Sequence, residues 1–277
     1  MIIILEINNV YNMDCIEALK QMDNNSVDMF FVDLPYGVTA KNKWDNIIPI
    51  EPMWEQVIRV AKPTTPILFF GQDKFTAKMM LSQPKLHRYN IIWEKTTPTG
   101  HLNAKKMPLR IHEDIMVFYQ ELPTYNPQKT TGHERKVSTA ESKINSIKTS
   151  NYGNFGLTTY DSTERYPTSI WKFATDKQQI SLHPTQKPLD LCRYAIRTYS
   201  NTGDLVVDFC CGSGTIPKAA QLEHRNYIGV DNGICDRKGK FEGWYWADIA
   251  KWRLNNQEQL PKNKTENINN LNNRKLF

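Results

Sequence analysis

The 277-residue sequence has few cysteines and no long apolar run. Its five cysteines are odd in number and show no C-x-x-C spacing, so neither a disulfide framework nor a metal site is expected. No stretch approaches the ~20 apolar residues of a membrane span. Residues 1–5 are apolar but lack the basic lead and the length of a signal peptide. These absences predict a cytoplasmic protein with no membrane partner.

The charge balance is moderately basic. Lysine and arginine number 35 against 29 acidic residues, a net charge of +6. This excess is compatible with a polyanionic partner, with an ordinary solvated surface as the alternative.

Strands and helices alternate through most of the chain, which predicts an α/β fold. Residues 66–71 form a continuous apolar run, typical of a strand buried on both faces of a parallel sheet. We find no internal repeat. The pattern predicts strands at 10–13, 27–32, 66–71, 89–93, 114–119, 204–209 and 226–231, and helices at 16–22, 52–60, 188–199, 215–223 and 244–254.

Residues 120–181 interrupt this alternation. Polar residues dominate there and apolar periodicity is weak, which fits either a flexible linker or a small recognition module. Several aromatic residues argue against a mere linker: Tyr125, Tyr152, Phe155, Tyr160, Tyr166, Trp171 and Phe173. We therefore divide the chain into a first half (1–119), an insertion (120–181), a second half (182–260) and a tail (261–277), rich in Asn and Lys, that is expected to be disordered.

Two predicted strand ends carry groups suited to chemistry. The first is Asp33-Leu34-Pro35-Tyr36, which closes the apolar run 27–32. The carboxylate can accept N–H from an exocyclic amine, the aromatic ring can stack on a flat base, and the proline restricts the turn.

The second strand end is glycine-rich and runs from Asp208 to Thr215. Gly212 and Gly214 permit a close approach of the backbone to a ligand. About twenty residues later Asp231 ends the next strand, where a carboxylate can accept both hydroxyls of a ribose. The third glycine of the dinucleotide fingerprint is missing, so S-adenosylmethionine fits better than a nicotinamide dinucleotide.

Together these motifs resemble the amino-methyltransferases that modify adenine N6 or cytosine N4 in DNA. Asp33-Leu34-Pro35-Tyr36 is similar to their D-P-P-Y motif, and residues 208–215 are similar to D-P-F-x-G-S-G-T. Residues 183–188 match the H-P-T-Q-K-P segment of many members. The motif order is that of the β subgroup, and the resemblance covers residues 8–119 and 180–256.

The resemblance implies a Rossmann-like S-adenosylmethionine-dependent methyltransferase fold, with a mixed, mostly parallel sheet and a target-recognition region inserted at 120–181. It implies catalytic roles for Asp33, Leu34, Pro35 and Tyr36. It also implies cofactor contacts from Asp14, Asp33, Thr185, Lys187, Asp208, Cys210, Gly212, Ser213, Gly214 and Asp231.

Some of these roles have alternatives. A helix N-cap competes equally with an adenine contact at Asp14. Lys187 could meet the methionine carboxylate or be solvated, and His183 is expected to organise its loop. Leu34 replaces the first proline of the family motif but still supplies a backbone carbonyl, and Cys210 replaces a phenylalanine that packs near the methionine moiety.

The partner expected from the resemblance is double-stranded DNA. Residues 39–46, which contain Lys41, Lys43 and Trp44, are predicted to form a mobile lid over a flipped base, with an ordinary surface loop as the alternative. Further phosphate contacts are predicted at Lys105, Lys106 and Arg110. Members of the subgroup often pair, so a homodimer is an open alternative.

The sequence therefore predicts a site-specific DNA methyltransferase acting on adenine N6. Aspartate at the first catalytic position favours adenine, because the cytosine-N4 members more often carry serine there. A cytosine-N4 enzyme and a catalytically idle DNA-binding module of the same fold are the alternatives.

Overall fold

The central strands of the protein are short apolar segments buried on both faces. A computed structural model describes residues 5–37, 47–139, 159–176, 182–183, 185–236 and 238–256. Every residue of β2 (Met29–Val32) and β3 (Ile67–Gly71) is buried. Strands covered on both faces need apolar side chains at every position, which explains why these segments do not alternate with polar residues.

The remaining elements follow in chain order. The strands are β1 (Asn9–Tyr11), β4 (His87–Thr99), β5 (Arg110–Phe118), β6 (Lys136–Ser138), β7 (Tyr160–Ser162), β8 (Ile170–Phe173), β9 (Leu205–Asp208) and β10 (Asn226–Val230). The helices are α1 (Cys15–Lys20), α2 (Ile50–Val60), α3 (Asp73–Ser82), α4 (Leu189–Tyr199), α5 (Thr215–Leu222) and α6 (Trp246–Asn255), with a 3-10 turn at His101–Asn103.

Eight of the described strands form one sheet in the order β1-β10-β9-β2-β3-β5-β4-β8. The strands from β1 to β3 are mutually parallel, β5 runs antiparallel to both neighbours, and β8 is parallel to β4. Because β5 is reversed, its amino end lies at the same edge as the carboxyl ends of β2 and β3. In register, Asp114 of β5 pairs with Gly71 at the end of β3.

The two faces of this sheet are covered by different helices. One core cluster joins the sheet to α4, α5 and α6, and a second joins it to α1, α2 and α3. In the second cluster Trp54 packs edge-on against Phe69 and Phe118, and its Nε1 donates to Ser82 Oγ at 2.8 Å. The layers therefore are helix, sheet and helix, as a mostly parallel sheet requires.

The chain divides into two units. The larger contains Met1–Asn126 and Ser169–Glu258, and the described residues of the smaller lie within Pro127–Thr168. In the smaller unit β6 pairs antiparallel with β7, and Arg135 forms an exposed ion pair with Asp161 at 2.6 Å. Residues 170–173 belong to the predicted insertion 120–181, but as β8 they pair with β4 in the main sheet. Four residues are too short to show a strand period, so the pairing alone reveals this strand.

The predicted elements of the two halves are present, with shifts at their ends. The largest differences are in β4 and β5, which extend beyond the predicted 89–93 and 114–119 towards each other and pair along most of their length. The predicted lid at 39–46 and the tail at 261–277 lie outside the described residues. No helix in the described ranges is long and apolar enough to cross a membrane.

Candidate active site

Four aspartates follow the carboxyl ends of neighbouring strands. Asp14 comes after β1, Asp231 after β10, Asp208 ends β9 and Asp33 comes after β2. These strands are adjacent and parallel, so all four residues lie along one edge of the sheet. Ligands of open α/β sheets bind outside the carboxyl ends of the strands, which makes this edge the candidate site.

The glycine-rich loop after β9 is held by Asp231. Its Oδ2 accepts a hydrogen bond from Gly212 N at 2.9 Å, and its Oδ1 accepts one from Gly233 N at 2.8 Å. Gly212 and Gly214 have φ values of +48° and +77°, which a side chain rarely allows. Asp231 therefore ties two backbone turns together at the end of β10, and burial raises the pKa of this carboxyl above its ordinary value.

Asp208 and Ser213 are buried at the same loop. Asp208 Oδ1 accepts a hydrogen bond from Cys210 N at 3.1 Å. Burial raises the pKa of Asp208 well above the ordinary value for an aspartate, and the nearby Asp33 carboxylate raises it further. The loop thus concentrates carboxyl groups that gain from a hydrogen-bond donor or a positive charge.

Asp14 is the N-cap of α1. Its Oδ1 accepts hydrogen bonds from Ile16 N at 2.9 Å and Glu17 N at 3.1 Å. Of the two roles predicted for Asp14, an N-cap and an adenine contact, the structure shows the N-cap. The Cys15 and Cys210 side chains interact, which lowers the pKa of Cys15 and raises the pKa of Cys210. Cys210 therefore packs beside the start of α1.

The end of β10 also fits a nucleoside. Trp246 Nε1 is buried and has no hydrogen-bond partner in the described part of the chain. A Cβ built on Gly233 would lie 3.0 Å from the Trp246 ring and 3.1 Å from Asp231 Oδ1, so only glycine leaves this space open. A buried donor beside a carboxylate matches the acceptors of a base and the hydroxyls of a ribose.

Asp33-Leu34-Pro35-Tyr36 lies at the end of β2 in a partly buried setting. Leu34 is buried, with its side chain in the core under α1 and α2. Tyr36 Oη donates to Asp33 Oδ1 at 3.1 Å, and its ring packs tilted against Phe75 with 4.8 Å between centroids. Burial, reinforced by the Asp33 carboxylate, raises the pKa of Tyr36 well above its ordinary value, so the hydroxyl remains a donor.

Lys187 contacts Asp33 directly, and the alternative of a solvated Lys187 is wrong. The side chain of Lys187 is 7% exposed, and its Nζ lies 2.8 Å from Asp33 Oδ2 and 3.3 Å from Glu113 Oε2. Glu113 Oε1 in turn lies 2.5 Å from Nζ of Lys95, another buried lysine. Burial acts to lower the pKa of Lys187, but the two carboxylates raise it above its ordinary value.

The pKa values of Asp33 and Glu113 are shifted in opposite directions. Burial raises the pKa of Asp33 above 3.8 although Lys187 opposes the shift. At Glu113, burial acts in the same direction, but Lys187 and Lys95 together hold its pKa below the ordinary value. Among the described residues Glu113 has two cationic neighbours and Asp33 has one, which accounts for the difference.

Sequence reasoning missed Lys95 and Glu113 because one predicted strand ends at residue 93 and the next begins at residue 114, which leaves both residues outside. One signal was available. Ile91, Trp93 and Lys95 share one face of a strand at period two, and the first two are plainly core residues. A lysine on such a face requires a buried partner, and Glu113 supplies it from the paired strand.

The other predicted site residues are more exposed. Thr185 is exposed, and its hydroxyl lies 3.0 Å from Nδ1 of His183, whose ring packs against Trp246. Lys105 and Lys106 are exposed in the turn after His101–Asn103. Arg110 is exposed and forms an ion pair with Asp73 at 2.6 Å. The predicted DNA contacts Lys41, Lys43 and Trp44 lie outside the described residues.

A mostly parallel sheet that carries a glycine-rich loop next to an acidic strand end has the architecture of a Rossmann-like α/β fold. Among solved structures, the M1.HpyAVI–SAM complex is similar, with a TM-score of 0.57 and 20% identity over 90% of this chain and 99% of that one. PvuII DNA methyltransferase, described as cytosine-N4-specific, has a TM-score of 0.60 and 15% identity over 96% and 91% of the two chains. At these identities the likeness establishes the fold.

The family follows from the sequence comparison. A family model described as DNA methylase, of the N6/N4 type, matches residues 27–235, and the chain belongs to this family. Type II methyltransferase M2.MboI of Moraxella bovis is 28% identical over 254 residues, which cover 82% of this chain and 83% of that protein. M.HpaI of Haemophilus parainfluenzae is 27% identical over 231 residues, covering 79% and 68%.

Membership confirms three predictions from the sequence: the family, the Rossmann-like fold, and S-adenosylmethionine as the cofactor. The protein is a DNA methyltransferase of the N6/N4 family.

Proposed function

We propose that this enzyme methylates adenine N6 in double-stranded DNA, with Asp33 and Tyr36 holding the extruded base. The observation that carries the proposal is the placement of Asp33 and the Gly212 loop at the ends of the adjacent strands β2 and β9. An acceptor for the exocyclic amine and a loop suited to the cofactor thereby stand side by side. Aspartate rather than serine at the first motif position favours adenine over cytosine.

The role of Asp33 is to accept a hydrogen bond from the exocyclic amine of the base. The lone pair of the exocyclic nitrogen is delocalised into the ring, so the amine is a poor nucleophile. N–H bonds to the Asp33 carboxylate and to the Leu34 carbonyl favour a more tetrahedral nitrogen with a localised lone pair. S-adenosylmethionine supplies an electrophilic methyl group on a sulfonium. Transfer of that methyl group to the amine would break the C–S bond, with the electron pair returning to sulfur, and the Asp33 carboxylate would pass the surplus amine proton to solvent.

Positioning supplies the rest of the rate. The amine must lie within about 3–3.5 Å of the methyl carbon, which requires the base to leave the duplex stack at a cost of a few kcal/mol. Stacking on an aromatic ring such as Tyr36 offsets about 1–3 kcal/mol of that cost. The Tyr36 ring is itself supported by Phe75 and by the hydrogen bond to Asp33.

The cofactor is assigned to the edge between β9 and β10. Asp231 and Trp246 Nε1 are suited to the ribose and the base, and the backbone around Gly212, Ser213 and Gly214 allows close approach. Asp208 and Cys210 complete this part of the proposed site. For Asp14 we propose a cofactor contact from Oδ2 alone, because Oδ1 caps α1.

DNA contacts are proposed for the exposed Lys105 and Lys106, with target recognition by the inserted residues between β5 and β8. Phosphate contacts from lysine set orientation and affinity without reading sequence. Arg110 is a weaker candidate, since DNA would have to compete with Asp73 for its guanidinium. Pairing into a homodimer remains a prediction that sedimentation of the purified protein would test.

The decisive experiment is transfer of labelled methyl from S-adenosylmethionine to duplex DNA, followed by digestion to nucleosides. We expect label in N6-methyl-2′-deoxyadenosine, and a loss of about 10²-fold or more in Asp33→Asn. Label in N4-methyl-2′-deoxycytidine would overturn the adenine assignment and leave the family intact. Absence of transfer by folded protein that binds adenosylhomocysteine would indicate the idle DNA-binding module.

A further inference from the structure

Four charged side chains of alternating sign form a row from the catalytic loop into the sheet. They are Asp33 after β2, Lys187 before α4, Glu113 of β5 and Lys95 of β4. The Lys187 ammonium lies 2.8 Å from Asp33 and 3.3 Å from Glu113, and Glu113 lies 2.5 Å from Lys95. Both lysines are no more than 7% exposed. Charges this well buried persist only when each is compensated, so the four groups act as one unit.

The surroundings of Lys187 commit its ammonium to Asp33. Its Nζ lies over the Phe70 ring at 4.9 Å and over the Tyr36 ring at 5.6 Å, and two carboxylates take up its charge. A cation already paired with two anions has little to gain from a third at the methionine end of the cofactor. This geometry therefore points away from the cofactor contact that the motif resemblance implies.

We propose that Lys187, with Glu113 and Lys95 behind it, is a positioning residue that fixes the Asp33 carboxylate and keeps it ionised to accept the amine of the base. Glu113 and Lys95 hold Lys187 in place. The inference rests on the proposed function insofar as that function makes Asp33 the acceptor.

The direction of the effect follows from the charges that face Asp33. They are Tyr36 of the same loop, Asp208 of β9, Glu113 of β5 and Lys187. Within this described set Lys187 is the cation. It opposes the effect of burial, whereas the carboxylates reinforce that effect. Removal of Lys187 must therefore shift the titration of Asp33 to higher pH, and removal of Glu113 must shift it to lower pH.

The experiment measures Asp33 directly and through catalysis. The carboxyl carbon of Asp33 is followed by NMR from about pH 4 to 9 in protein labelled at aspartate, and Asp33→Asn assigns its signal. The pH dependence of kcat for methyl transfer and the affinity for adenosylhomocysteine are recorded in parallel. The variants are Lys187→Met, Lys187→Arg, and the double variant Lys95→Met with Glu113→Gln.

For Lys187→Met we expect the Asp33 titration and the acid limb of kcat to move up by about 1–3 pH units. Adenosylhomocysteine affinity should stay within about threefold, since the residue does not contact the cofactor. Lys187→Arg should restore most of the shift because it keeps the positive charge. The double variant releases the Lys187 ammonium from Glu113 to Asp33, so the Asp33 titration should move to lower pH. If Lys187→Met does not fold, an unshifted titration in the double variant overturns the inference.

A matched control is available on the same strand. Glu94 of β4 pairs with Lys172 at 2.7 Å, but this pair is exposed. Glu94→Gln should leave the Asp33 titration, kcat and cofactor affinity unchanged, because exposed ion pairs are screened by solvent.

Two results would overturn the inference. One is an unshifted Asp33 titration in folded Lys187→Met, and the other is a tenfold loss of adenosylhomocysteine affinity with an unchanged acid limb, which would assign Lys187 to the methionine carboxylate. If wild-type protein methylates no DNA but the Asp33 titration shifts as expected, the proposed function fails while the electrostatic role of Lys187 stands. If DNA is methylated and the titration does not shift, the inference alone fails.

Discussion

Replacement of Gly214 by alanine tests whether the cofactor loop is held by close packing against α6. Gly214 is the residue before α5 and has a φ of +77°. A Cβ built there would lie 2.7 Å from Ala250 Cβ and 3.1 Å from Ala250 Cα. The substitution therefore introduces both backbone strain and a steric clash with α6.

The two costs can be separated with Gly212. It lies two residues earlier in the same loop with a φ of +48°, and a Cβ there would meet no atom of the described residues within 4 Å. Strain from a left-handed backbone is about 1–2 kcal/mol for a non-glycine residue, and overpacking adds about 1–3 kcal/mol. We expect Gly212→Ala to lower the free energy of unfolding by the first amount, and Gly214→Ala by about 2–5 kcal/mol in all.

The assay is equilibrium unfolding in urea, with a double-mutant cycle through Ala250→Gly. That change alone should cost about 1 kcal/mol, the propensity difference between alanine and glycine in a helix. Combined with Gly214→Ala it removes the clashing methyl group, so the pair should be more stable than the sum of the single effects by about 0.5–3 kcal/mol. Equal destabilisation by Gly212→Ala and Gly214→Ala, or strict additivity in the cycle, would refute the packing argument.

Three further outcomes are expected. Asp33 accepts the amine only when ionised and burial raises its pKa, so kcat should fall with decreasing pH through a value above 3.8, read from a pH–rate profile. Replacing Lys105 and Lys106 together by alanine should reduce the salt dependence of DNA binding by about two counterions, measured as the slope of log K against log salt, and an unchanged slope would exclude them as phosphate contacts. Trp54→Ala should lower the free energy of unfolding by about 3–5 kcal/mol in a urea titration, because a fully buried ring and its bond to Ser82 are lost, and a loss below 1 kcal/mol would contradict that packing.

The two strand-end motifs could be recognised in the sequence because each consists of consecutive residues. A run such as 27–32 followed by Asp33 combines a strand period with a strand end, and Gly212 and Gly214 mark a turn that needs a positive φ. Local patterns of this kind depend on neighbours in sequence, so the parallel strands and the two strand ends could be predicted without coordinates.

The role of Lys187 could not be predicted in this way. Its partners, Asp33 and Glu113, lie 154 and 74 residues earlier in the chain (187 − 33 and 187 − 113), and their meeting depends on the order of β2, β3 and β5 in the sheet. The strand β8 could not be predicted either, since its four residues are recognised as a strand only by their pairing with β4.

The sequence by itself determined which residue types stand at the strand ends, and with them the family and the cofactor. Only the tertiary structure decided which of those residues touch, because a reversed β5 brings Glu113 to the edge where β2 ends. Because these groups are buried, their charges interact more strongly than they would in water, and the position of one ammonium group determines the charge of a carboxylate.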